Sequence, residues 1–96
     1  MTETFSRYDT AEFLKTDEEM ALYLDVCLEE GDPALIAHAL GVIARARGMS
    51  QLARDTGISR EGLYRALSSE GNPEFATIMK VVRALGFRLH AAAPHA

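Results

Sequence analysis

Apolar positions recur at intervals of three and four along most of the chain, and each run is bracketed by residues that start or stop a helix. Met20, Tyr23, Leu24, Cys27 and Leu28 form the first stripe. Thr16 and Glu19 ahead of it make a capping-box pair, and Gly31 ends the helix after about four turns. Asp32 caps a second helix with Pro33 at its first position, where a missing N–H costs nothing. Leu35, Ile36, Ala39, Leu40, Ile43 and Ala46 carry that helix to Gly48. Met49–Leu67 then reads as two short helices joined by a tight glycine turn. Ser50 caps the first, with Leu52 and Ala53 as its inner edge; Gly57 takes a positive φ, and Ser59 opens the second. Ile58, Leu63 and Leu67 point inward.

Beyond this pair, Ser68–Gly71 is a polar link and Asn72-Pro73 repeats the cap-plus-proline start. Phe75, Ile78, Met79, Val82 and Leu85 form the last stripe, closed by Gly86. Phe87–Ala91 alternates apolar with polar, the period of a short strand. A lone strand needs a partner, and the sequence holds no second one. A twin across a two-fold axis is therefore expected, with Phe87, Arg88 and Leu89 at the contact. Met1–Arg7 shows no pattern and is expected to be a mobile arm, and Tyr8–Lys15 to make one short helical turn. The expected class is all-α: a helix-turn-helix bundle with acidic N-terminal helices and a short C-terminal dimerisation strand. Residues 1–32 are its acidic arm and helix within the same domain, 33–91 the bundle plus terminal strand, and 92–96 a flexible tail.

Ninety-six residues, 48% of them hydrophobic, make one domain. No apolar run approaches the ~20 residues of a membrane span, and the start of the chain has no apolar leader core, so a cytoplasmic protein without membrane contact is expected. The net charge of −4 is unevenly placed. Residues 1–32 carry ten acidic against two basic side chains, and residues 33–96 eight basic against four acidic. The basic part suits phosphates, and the acidic part suits a basic partner.

Candidate chemistry follows that split. Five arginines fall within Arg45–Arg65 against Asp55 and Glu61. On the second short helix Ser59, Arg60, Glu61, Tyr64 and Arg65 face outward; Arg60 or Arg65 suits a bidentate contact to guanine. Gln51 and Arg54 suit phosphate, and Ser50 and Ser59 sit where helix N-termini aim N–H groups at it. Gly62 costs about 1 kcal/mol of helix propensity, and either close approach to DNA or neighbouring helices calls for it or helix packing simply tolerates it. Asp17, Glu18, Asp25 and Glu29 are the candidate contacts for a basic protein. No catalytic constellation is visible. His38, His90 and His95 are too scattered for a metal set, Cys27 reads as a buried small hydrophobe, and the pairs Glu18–Glu19 and Glu29–Glu30 sit at helix ends. Neither a phosphate-cradling GxxxxGK[ST] loop nor a nucleophile elbow occurs. No enzyme activity, metal or cofactor is expected.

The run GDPALIAHALGVIARARGMSQLARDTGISREGLYRALSSEGNPEFATIMKVVRALGFRL, preceded by FLKTDEEMALYLDVCLEE, resembles the addiction-module antidote proteins. These are HigA-type antitoxins of the Xre-like helix-turn-helix superfamily. The sharpest pieces are Gly31-Asp32-Pro33, Ala44 through Ala53, Ser59 through Tyr64, and Gly71-Asn72-Pro73. The resemblance implies a lambda-repressor-like fold and two partners. One is a small basic toxin of the RelE/ParE superfamily, of HigB type, held inactive in a complex; the other is the operator DNA of the shared operon. A stand-alone dimeric repressor without a toxin shares the helix pair and the strand, and is the alternative.

Overall fold

A computed structural model describes residues 15–94. The expected mobile arm, the expected turn as far as residue 14, and the last two residues of the tail lie outside them. The described residues form five helices: α1 Asp17–Glu30, α2 Pro33–Arg47, α3 Met49–Thr56, α4 Arg60–Ala66 and α5 Phe75–Ala84.

Side-chain chemistry sets the first two starts. Thr16 Oγ1 accepts from the Glu19 N–H at 3.1 Å, and Glu19 Oε1 accepts from the Thr16 N–H at 3.1 Å. Two otherwise orphaned donors are thereby satisfied. Asp32 Oδ1 accepts from the Ala34 N–H at 3.0 Å, with Pro33 as the first helical residue. α1 ends at Gly31, as the sequence predicts.

α2 is the central element. Ala37, Ala39, Leu40, Gly41, Val42, Ile43 and Ala44 are all buried, a far wider surface than the single stripe expected from spacing. Ala46, counted in that stripe, is exposed. A helix that is apolar nearly all round has to be enclosed. Its buried residues share one core with Met20, Leu24 and Cys27 of α1, Met49 and Leu52 of α3, Leu63 of α4, and Val81, Val82 and Leu85. Every buried side chain of this core is apolar. Leu28, expected on the inner face of α1, is instead exposed.

Three other expectations are corrected. Ser50 does not cap α3: the cap is Gly48, at φ 118° and ψ 113°, with no side-chain bond. α2 runs as far as Arg47, so one residue must turn the chain directly from helix to helix, and only glycine takes that φ without strain. Asn72-Pro73 does not start α5. The link folds back on α4 so tightly that a Cβ on Gly71 would lie 2.5 Å from the Arg65 and Ala66 carbonyl oxygens. The chain leaves this contact extended and enters α5 only at Phe75, capped by Glu74 without a side-chain bond. That later start puts Phe75 at the helix entrance, 70% exposed, while Val81 joins Val82 and Leu85 inside.

The expected strand is not formed within the single chain: among the described residues none is in a strand, and Phe87–Pro94 lacks regular structure. A ladder needs a second edge, which the described residues do not supply. The alternation survives in burial, with Phe87 and Leu89 packed against the core and Arg88 and His90 exposed. Phe87 is also anchored from within, its N–H donating to the Val82 carbonyl at 3.0 Å.

Leu63 is fully buried and Phe75 is not, so their truncations should differ. Leu63→Ala is expected to cost about 2–5 kcal/mol, and Phe75→Ala less than about 0.5 kcal/mol, in urea unfolding of the two variants. Cys27 is buried against α2, and that burial, with Glu30 nearby, pushes its thiol up from the ordinary range. Less thiolate forms at a given pH than on an exposed cysteine. Labelling by a thiol reagent at pH 8 should therefore be at least about tenfold slower in the native protein than in denaturant.

Candidate nucleic-acid interface

The α3–α4 pair is built from its turn outward. Gly57 holds φ 76° and ψ 9°, the left-handed region in which a Cβ is disfavoured, and ends α3 by donating its N–H to the Ala53 carbonyl at 2.9 Å. Thr56 adds a tie the sequence reading missed. Its hydroxyl donates to the Leu52 carbonyl at 2.8 Å and accepts from the Ile58 N–H at 3.2 Å. Ser59 then caps α4, Oγ accepting from the Gly62 N–H at 3.0 Å. A Cβ on Gly62 would come within 3.1 Å of that oxygen and 3.2 Å of Ile58 Cγ2. The crowding at Gly62 therefore comes from its own helix entrance and not from a neighbouring helix.

Inward anchoring fixes what α4 shows to solvent. Leu63 and Leu67 are buried and Ile58 is half-buried against the core. Arg60, Glu61, Tyr64 and Arg65 are left exposed, with Ser59 at their head. Among the described residues neither Arg60 nor Arg65 has a carboxylate partner, and the one ion pair is Arg47–Asp17 at 2.7 Å. Two outward guanidinium groups beside a tyrosine can donate to phosphate oxygens or to the O6 and N7 of guanine.

α3 behaves differently. Ser50, Gln51 and Arg54 are all exposed, but two of them are already engaged. Gln51 Nε2 donates to Asp55 Oδ1 at 2.8 Å, and an Arg54 guanidinium N–H donates to Gln51 Oε1 at 2.8 Å. This chain along one helix face orients the Arg54 guanidinium and leaves its other donors free for an incoming oxygen.

The candidate acidic contacts are divided. Glu18, Asp25 and Glu29 line one groove between α1 and the segment after α5. Asp17 is drawn away instead, to Arg47, whose Nε also donates to Met20 Sδ at 3.3 Å and whose guanidinium carbon lies 5.8 Å from the Phe87 ring centre. Leu22, 68% exposed, lines the groove as well, and Val26 is exposed one turn further on. The sequence reading passed over both, although α1 holds more apolar residues than one stripe uses. Of the candidate dimer contacts, Phe87 and Leu89 rest on the core and Arg88 is exposed. Tyr23 has its phenol pushed up by burial and by Cys27, with Arg45 pulling the other way, which places Arg45 near the α1–α2 contact.

Among the described residues no helix is long and apolar enough to cross a membrane, and no group of three or more His, Cys, Asp or Glu is arranged to hold a metal.

Comparison with known proteins supplies what geometry alone does not. A protein of Haemophilus influenzae described as uncharacterized is 59% identical over 88 residues, 92% of this chain and 91% of that one. No solved structure matches the chain. The pattern of the family described as "probable addiction module antidote protein" matches residues 4–93. With that match spanning nearly all of its length, the chain belongs to the addiction module antidote family.

Proposed function

We propose that the chain is the antitoxin of a type II toxin–antitoxin module, which neutralises a small basic RelE/ParE-like, HigB-type toxin and represses its own operon as a homodimer. The observation that carries the DNA half is the α3–Gly57–α4 arrangement, read as a helix-turn-helix of the Xre-like kind. A left-handed glycine and a fully buried Leu63 hold α4 so that Arg60, Glu61, Tyr64 and Arg65 face solvent together. In a dimer two such helices enter successive major grooves about 34 Å apart and read a two-fold symmetric operator.

Membership of the antidote family supports the toxin half. The α1 wall of the groove, with Glu18, Asp25 and Glu29, is the surface whose charge suits a basic toxin, while the opposite wall carries Arg88 and His90. Among the described residues no backbone hydrogen bond ties Arg88, Leu89 or His90 to the rest of the chain, which leaves that segment open to pair with its twin.

Co-expression with the small basic protein encoded beside it tests the reading. The two should co-purify, and growth arrested by the toxin should be rescued. Arg60→Ala and Arg65→Ala should each weaken operator binding by about 1–3 kcal/mol in a gel-shift titration while leaving co-purification intact. Loss of the toxin complex in these variants would show that α4 faces the protein partner instead. Light scattering at micromolar concentration should give twice the 10.5 kDa chain mass, and a monomer would remove the paired strand.

A further inference from the structure

A cavity of about 300 Å³ opens between α2, α4 and the link that follows α4. Its floor is apolar and fixed, since Met49, Leu63 and Leu67 all belong to the core. Its rim is polar: His38 and Arg45, two turns apart on α2, meet Tyr64, Ser68 and Ser69. Among the described residues no carboxylate lines it. The close approach that shapes it depends on Gly41, where an added Cβ would lie 2.6 Å from the Leu67 carbonyl oxygen and 3.5 Å from an Arg45 guanidinium nitrogen. The Arg45 side chain is thus folded back beside its own helix, at the wall of the cavity.

Donor bookkeeping decides what such a rim accepts. Arg47 is committed to Asp17, whereas Arg45 makes no ion pair or side-chain hydrogen bond among the described residues. The Ser68 hydroxyl donates to the Arg65 carbonyl at 3.1 Å, so its proton is spent. Arg45, the Tyr64 and Ser69 hydroxyls and one imidazole N–H of His38 remain as donors that make no side-chain hydrogen bond among the described residues. Donors grouped around a guanidinium, with no carboxylate among the described lining residues, suit an oxygen-rich anion, and the guanidinium fork matches phosphate. Tyr64 belongs both to this rim and to the outward row of α4. A polyanion lying along Arg60 and Tyr64 therefore brings its backbone to the cavity mouth.

We propose that this cavity is a phosphate-binding site, with Arg45 as its principal ligand and His38, Tyr64 and Ser69 as supporting donors, and that the phosphate it takes is one in the backbone of the duplex lying on α4. The choice of duplex rests on the DNA-binding reading above. Such a contact adds affinity without reading sequence and carries the salt dependence of a released counterion.

The test is fluorescence anisotropy of the full chain on two duplexes of equal length, its own promoter and an unrelated sequence, across a range of salt. Arg45→Gln should weaken both by about tenfold and make the slope of log affinity against log salt shallower by about one. Ser69→Ala, which removes a single neutral donor at an exposed position, should weaken both by a few-fold with the slope unchanged. Circular dichroism checks that each variant is folded. If Arg45→Gln and Ser69→Ala leave both duplexes unaffected, or weaken the promoter alone, the site is overturned. In parallel, inorganic phosphate is titrated against the isotope-labelled protein, with the amides of Gly41 and Ser69 as reporters and Arg45→Gln as control. Shifts there without any duplex binding would refute the DNA reading and keep the site for free phosphate. Neither phosphate nor duplex binding in the wild-type protein would overturn the proposal itself.

Discussion

The enclosure of α2 is the constraint on which the other helices depend. A helix with buried residues at almost every position from Ala37 to Ala44 leaves little of its surface to water, and all four other helices add side chains to the core it fills. None of those neighbours is self-sufficient; α3 and α4 have eight and seven residues, below the length at which an isolated helix persists in water. Their stability comes from Leu52 and Leu63 reaching the α2 surface. The orientation of α4, and hence of Arg60 and Arg65, is a by-product of how Leu63 fills that core.

Because the core holds only apolar side chains, ionisable groups are left to the surface, where they sort by position along the chain. Apart from Asp17, which meets Arg47 of α2, the acidic residues of α1 are turned to solvent, and α4 carries arginines on the side away from the core. The bundle thus separates two unlike charged surfaces with a neutral interior. One small domain can in this way present a cationic face and an anionic face without the two cancelling, since pairs further apart than about 8–10 Å are screened by physiological salt.

What the sequence made legible was decided locally. Thr16 with Glu19, Asp32 with Pro33, and Ser59 with its cap each act within four residues, so their helix starts could be read directly. The failures lie where distant chain decides. Ser50 looks like a cap until α2 is seen to run to Arg47, which leaves Gly48 as the only residue between two helices. Asn72-Pro73 has the right residues for a start, but Gly71 is held against the end of α4. Phe75 fits the last stripe by spacing, yet the delayed helix start leaves it in solvent and Val81 inside. The outward residues of α4 followed from periodicity. The groove beside α1 and the cavity around Arg45 did not, because each joins segments far apart in sequence.

Arg47 joins such segments in a single side chain. Its guanidinium holds Asp17 at the head of α1, its Nε reaches Met20 one turn later, and the Phe87 ring lies near it after α5. The ties are individually weak, the exposed ion pair being worth at most about 1 kcal/mol. They are nonetheless shared, so they are thermodynamically linked. Whatever stabilises one placement of this guanidinium for the start of α1 stabilises the same placement for the tail, and the reverse holds with equal magnitude. The first helix and the residues beyond the last are thereby not independent ends of the chain but two readers of one rotamer.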